Sequence, residues 1–174
     1  MSKTETERKF LVKDDSYKKM ATASIRMQQG YICRESGRTV RVRIAGERAW
    51  LTIKGASTDD GLSRYEWEKE IHADEAAELM KLCQGAKTID KTRHIVPFED
   101  HVFEVDEFHG ANEGLTVAEI ELENASEPFS RPEWLGEEVT GDRRYYNSML
   151  IADPYSSWGQ QPQQNIRKES GVKP

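Results

Sequence analysis

Residues 64–71 read Arg-Tyr-Glu-Trp-Glu-Lys-Glu-Ile. Side chains alternate across an extended strand, so residues two apart share a face. Arg64, Glu66, Glu68 and Glu70 therefore fall on one side, and Tyr65, Trp67 and Ile71 on the other. An aromatic and β-branched run with this period predicts a strand with one apolar face and one charged face.

The pattern recurs in both directions along the chain. Upstream, Thr4–Val12 predicts a strand in which Glu5, Glu7 and Lys9 share a face, and Ile25–Arg34 predicts a second. Arg38–Ile44 and Arg48–Lys54 predict a hairpin about Ala45-Gly46-Glu47, followed by a loop at 55–61 rich in turn formers. In that hairpin Arg41 and Arg43 oppose Val40, Val42 and Ile44, while Thr52 and Lys54 oppose Leu51 and Ile53. Downstream, Lys87–Pro97 pairs Lys91 with Arg93, and His101–Phe108 sets Glu104 and Asp106 against Phe103 and Val105. Leu115–Glu123 sets Glu119, Glu121 and Glu123 against Ile120 and Leu122. Short helices are predicted from Asp14 to about Ala23, and over Glu75–Leu82 with Asp74 as cap and Gly85 near the end. A helical turn near Arg131–Leu135 and a helix near Arg144–Ile151 complete the reading. The class is α+β, mainly antiparallel β, and about eight strands is the number that closes a small barrel.

One charged strand face, taken alone, is the solvated side of an antiparallel sheet. The strands together say more. Solvated faces mix Thr, Ser, Lys, Glu and Gln, whereas here Glu-x-Glu, Arg-x-Arg and Lys-x-Arg repeat. Like charges held side by side cost stability unless counter-charges or ligands relieve them. Carboxylate pairs suit hard cations such as Mg²⁺ or Mn²⁺. Arg and Lys clusters suit phosphate. A metal beside a basic cradle is what phosphoryl-transfer chemistry needs. If the charged faces line a barrel interior, the apolar faces point outward and need cover from segments near Tyr17, Leu79 and Leu135.

The chain has 174 residues, which fits one domain. The expected division is a structured domain over 1–155 and a polar, mobile tail over 156–174. A net charge of −6 argues against a nucleic-acid partner, though not against a small anion held by local basic clusters. Cys33 and Cys83 lie in no CxxC spacing and read as reduced thiols. The N-terminal MSKTETERKF lacks an apolar signal core, and no apolar stretch approaches a membrane span, so the expected compartment is the cytoplasm. His72, His94, His101 and His109 do not pair at metal-ligand spacing, and Trp50, Trp67, Trp134 and Trp158 are expected to pack or to cover outward strand faces.

Glu5-Thr6-Glu7-Arg8-Lys9 resembles the ExExK signature of the CYTH superfamily, the triphosphate tunnel metalloenzymes. The resemblance continues through Gln29-Gly30-Tyr31, Val40–Arg43, Leu51–Gly55, Arg64–Glu68, Lys91-Thr92-Arg93, Glu104-Val105-Asp106, Ala118–Glu121 and Asp142–Tyr145, covering Thr4 to Leu150. It implies an eight-stranded antiparallel tunnel with short flanking helices. It implies metal ligation by Glu5, Glu7, Glu119 and Glu121, with Asp106 as a further ligand or supporting acid, and catalysis by those four glutamates and Lys9. It implies a triphosphate grip from Lys9, Arg41, Arg43, Lys54, Lys91 and Arg93, with Glu66 and Glu68 beside it. Arg144 matches a C-terminal basic contact, with Arg143 an equal candidate by spacing. The implied activity is Mg²⁺- or Mn²⁺-dependent hydrolysis of inorganic tripolyphosphate or a related triphosphate. The alternatives are a class IV adenylyl cyclase, a thiamine triphosphatase, or a sensor that binds polyphosphate or nucleotide without cleaving it. The partner is a small triphosphate, and a homodimer is compatible with the reading.

Overall fold

The structure, a computed structural model, describes residues 3–83 and 88–159. Its sheet has nine strands: β1 (Lys3–Val12), β2 (Ala23–Glu35), β3 (Arg38–Ala45), β4 (Arg48–Ser57), β5 (Ser63–Ile71), β6 (Thr88–Phe98), β7 (His101–Phe108), β8 (Thr116–Leu122) and β9 (Leu135–Glu138). The order is β5-β4-β3-β2-β6-β7-β8-β1-β9, and an added β1–β5 pairing closes the first eight strands into an antiparallel barrel. Among the described residues three α-helices accompany it: α1 (Tyr17–Met20), α2 (Ala73–Met80) and α3 (Asn147–Ala152). Among the described residues no helix is long and apolar enough to cross a membrane.

Three local expectations change. Leu135 is not in a helical turn; it opens β9, which pairs Phe10 with Glu138 and Val12 with Leu135. The cap of α2 is His72 rather than Asp74, because the Glu75 carboxylate reaches back 3.0 Å to accept from the His72 backbone N–H. Packed chain also continues past residue 155, since the Trp158 indole meets Tyr145 and Tyr155 edge-on. The rest of the expected tail, residues 160–174, lies outside the described residues, as do Gly85 and the expected strand start at Lys87.

The apolar faces turn outward, and two stretches of them are covered, while Tyr65 on β5 stays 51% exposed. Phe10, Phe103, Val105 and Ile120 of β1, β7 and β8 pack against Tyr17, Trp134 and Leu135. Val42 and Ala49 pack against Ala76 of α2, with Leu79 and Met80 beside them. A third cluster forms on the interior face instead. Leu11, Ile89, Phe108 and Val117 follow Lys9, Lys91, Asp106 and Glu119 in alternation, and they meet Leu150 and Ile151 of α3. The barrel interior thus passes from charged to apolar along its axis, and α3 seals the apolar end. Burial of Leu150 alone stabilises by about 1.5–3 kcal/mol.

One edge of β1 is shared. Lys3–Thr6 pairs with β5, Phe10–Val12 pairs with β9, and the stretch between them is bridged by loops. Glu7 N–H donates to Leu62 O at 3.0 Å, and Lys9 N–H donates to Thr140 Oγ1 at 2.9 Å. The two loops touch at Gly61 and Gly141, both in left-handed backbone (φ +73° and +80°). A Cβ on Gly61 would lie 2.3 Å from Gly141 Cα. Gly61→Ala therefore combines a backbone penalty of about 1–3 kcal/mol with a backbone clash. A melting curve should show a drop of several degrees, and an unchanged midpoint would refute the close contact.

Candidate active site

Strand register builds the site in rows. On the interior face, Gln29, Arg43, Trp50 and Glu70 are successive cross-strand partners from β2 to β5. The next row is Tyr31, Arg41, Thr52 and Glu68, and the next contains Thr39, Lys54 and Glu66. On the other wall Glu104, Glu119 and Lys9 form one row, and Glu7 stands opposite Glu121. These faces enclose a cavity of about 560 Å³ lined by Glu7, Lys9, Tyr31, Arg41, Arg43, Lys54, Arg64, Glu66, Glu68, Arg93, Glu104, Glu119, Glu121 and Tyr146, among others.

The charges are sorted by contact. Lys9, buried, approaches Glu119 at 3.3 Å. Burial favours its neutral amine, but Glu119 and Glu7 outweigh that and hold its pKa above the ordinary value. Burial alone would raise Glu119, yet Lys9, Arg93, Lys91 and Lys54 hold it well below the usual carboxylate range. Glu68 accepts from Thr52 Oγ1 at 2.7 Å and faces Arg41 at 3.7 Å and Arg43 at 3.9 Å. Burial and the neighbouring Arg41 and Arg93 push Arg43 down to about 10. The Nε atoms of Arg41 and Arg43 are buried and have no hydrogen-bond partner. Buried donors of this kind are costly unless an acceptor arrives. Both belong to cavity-lining arginines, which is where a phosphate oxygen would supply one.

Below this layer lies an ion cage. Asp106 is 1% exposed and accepts from Lys91 Nζ at 2.6 Å and from Arg93 Nε and Nη2 at 2.8 and 2.9 Å. Burial would raise its pKa, but Arg93 and Lys91 bring it below the ordinary value. Lys91 also donates to Asn147 Oδ1 at 3.2 Å, and burial pushes it down to about 8. Neither Asp106 nor Lys91 lines the cavity. Of the two roles expected for Asp106, ligand or supporting acid, its contacts to Lys91 and Arg93 fit the second, and Lys91, expected as a substrate contact, is engaged with Asp106 and Asn147. The pair fixes Arg93, whose Nη1 reaches Glu104 at 2.7 Å on the cavity wall.

Other expected residues divide. Glu7, Lys9, Arg41, Arg43, Lys54, Glu66, Glu68, Arg93, Glu119 and Glu121 are brought together. Arg144 is not: its guanidinium is held by Asp142 at 2.7 Å and stacks on Tyr145 and Trp158. Arg143 lines a neighbouring cavity of about 460 Å³ that shares Arg64 and Tyr146 with the first. The side chain of Glu5 lies outside the described residues; its backbone pairs with Arg64. Trp50 does not cover an outward face. It shares the interior face of β4 with Thr52 and Lys54. Arg64 and Glu104 line the cavity without having been singled out, although their faces were legible from alternation. Tyr146 and Asn147 follow a turn with no periodic pattern, and no signal marked them.

Of the glutamates expected to hold a metal, Glu7, Glu119 and Glu121 have described side chains, and all three line the cavity. Glu7 and Glu121 are carboxylates directly opposite each other, an arrangement that a cation relieves. Among the described residues no three potential ligands are gathered closely enough to enclose an ion alone. That suits a hard cation that keeps waters and takes one or two carboxylates together with substrate oxygens.

Over 154 residues the chain is 45% identical to an inorganic triphosphatase of Acetivibrio thermocellus, covering 88% of this chain and 97% of that one. It is 34% identical over 151 residues to an inorganic triphosphatase of Nitrosomonas europaea, covering 84% and 96%. The crystal structure of the inorganic triphosphatase NE1496 superposes with a TM-score of 0.57 at 30% identity, covering 84% of this chain and 97% of that one. Residues 3–149 match the CYTH domain, and with the closed barrel and its charged interior this places the chain in the CYTH domain family.

Proposed function

We propose that the cavity binds a triphosphate together with Mg²⁺ or Mn²⁺ and hydrolyses its terminal phosphoanhydride, with inorganic tripolyphosphate as the substrate class. The observation that carries the reading is the near balance of charge in one enclosed space. Six Lys and Arg side chains face seven carboxylates in the cavity lining. A bare polyanion would be repelled by half of that lining, and a bare cation by the other half. A metal–polyphosphate pair satisfies both.

Lys9, Arg41, Arg43, Lys54 and Arg93 grip the phosphates. Arg41 and Arg43 offer the unpartnered Nε–H donors described above. Glu68 faces both guanidiniums, at 3.7 and 3.9 Å, and helps to align them. Asp106 and Lys91 act from behind by fixing Arg93. Glu7 and Glu121, with Glu119 and Glu5, would hold the metal. When bound, the metal supplies neutralisation of phosphate charge and a water of lowered pKa. Positioning and electrostatic complementarity by groups already in place then provide most of the rate. The relatives named inorganic triphosphatases support this assignment. The low cysteine content and unpaired thiols support a cytoplasmic setting.

The test is a substrate panel of tripolyphosphate, thiamine triphosphate and ATP with Mg²⁺ and with Mn²⁺, reading phosphate release and product identity. Pyrophosphate and phosphate from tripolyphosphate are expected. Cyclic AMP from ATP, or tight binding with no release under either metal, would overturn the proposal.

A further inference from the structure

We infer that Trp50 is a positioning residue for the triphosphate site, acting through Arg43, and this rests on the reading of the cavity given above. Arg43 and Trp50 are direct cross-strand partners on the interior face, and the Arg43 guanidinium carbon lies 5.1 Å from the Trp50 ring centroid. Arg48 lies at the same distance from the ring, two residues away on β4. Its guanidinium is itself tied to Glu70 by two hydrogen bonds of 3.0 and 2.7 Å, and Glu70 is the partner of Trp50 on β5. The indole is thus braced from the rim by an anchored cation and presents its π-system to the cavity cation.

Arg43 needs such support. Its side chain is 13% exposed, its closest carboxylate oxygen is at 3.9 Å, and Arg41 and Arg93 stand nearby as like charges. An arginine in that position has a desolvation penalty and repulsion to overcome, and without a support it would swing toward water. The face of a tryptophan is the strongest aromatic partner for a guanidinium and leaves all its N–H donors available. The stack therefore keeps Arg43 inside and charged while its donors remain open for phosphate oxygens. A cavity lined only by Arg and a small residue at position 50 would have to re-form this geometry each time substrate bound.

The test is a double-mutant cycle on tripolyphosphate hydrolysis. Trp50→Leu should raise KM about tenfold with kcat changed less than about twofold, and Trp50→Phe should recover most of the loss. In an Arg43→Ala background, Trp50→Leu should add less than about twofold, because the residue it acts through is gone. Equal fold-changes in both backgrounds, or a loss of kcat matched by a fall in melting temperature, would show a purely structural role and overturn the inference. If the unaltered protein turns over tripolyphosphate but the cycle is additive, this inference alone fails. If the unaltered protein neither binds nor cleaves tripolyphosphate, the functional reading fails with it.

Discussion

Glu121→Gln and Glu7→Gln, made singly, should each lower metal-dependent tripolyphosphate hydrolysis at least ~10²-fold while leaving the barrel folded. The two carboxylates are directly opposed on β8 and β1, and both line the cavity, with Glu121 open to solvent. Arg64, 3.9 Å from Glu7, offsets part of their repulsion, and a bound cation would relieve more of it. Replacing one by an isosteric amide removes that repulsion and the charge needed for function together. Opposed like charges destabilise by about 0.2–1 kcal/mol. In a chain of this size one kcal/mol moves the melting temperature by about 2–4 °C. The melting temperature of either variant should hold or rise by a few degrees as activity disappears, and raising the metal concentration should recover part of the rate. Full activity in a folded Glu121→Gln protein would remove the residue from the site.

Asp106→Ala should have the opposite signature, with stability lost first. Asp106 is the shared counter-ion of two buried cations, Lys91 and Arg93. Removing one partner of a buried ion pair leaves uncompensated charge and costs about 3–5 kcal/mol. The expected fall in melting temperature is about 6–20 °C. The sign of the pH dependence follows from the depressed Asp106 pKa. A carboxylate held below its ordinary 3.8 contributes stability that is fully present above that value and is lost as pH falls through the folded pKa. The unaltered protein should therefore lose stability steeply in acid, and Asp106→Asn should have a shallower acid limb. An Asp106→Ala protein that melts within 2 °C of the parent, by the same ~2–4 °C per kcal/mol scale, would refute the cage.

The contrast between these variants marks what alternation can and cannot reveal. A period of two placed Glu121, Glu7, Lys91 and Asp106 on interior faces, and each is there. Depth along the barrel axis is a separate quantity, set by how neighbouring strands are staggered. Lys91 and Asp106 fall one layer below the cavity, where α3 closes the space, and nothing within a single strand reports that. Trp50 shows a different limit. Its parity with Thr52 and Lys54 places it inside, whereas aromatic character alone leaves packing and outer cover both open. β9 has only four residues, one of them glycine, too few for a period to emerge. The helical cap moved to His72 because a long Glu75 side chain can reach the backbone N–H that Asp74 cannot serve.

The shared edge of β1 has a kinetic consequence. On that edge Thr6 pairs with Ser63 and Phe10 with Glu138, while on the other edge Glu7 pairs with Glu121. β1 precedes every strand it pairs with, so it must wait for β5, β8 and β9 before both its edges are filled. The hairpins β2–β3, β3–β4, β4–β5, β6–β7 and β7–β8 join near neighbours and can form early, whereas β1 bears the long loop closures that slow β-rich chains. Until it arrives, an open sheet with two unsatisfied edges is exposed to wrong pairing with other chains. The repeated charges on its concave face oppose such association.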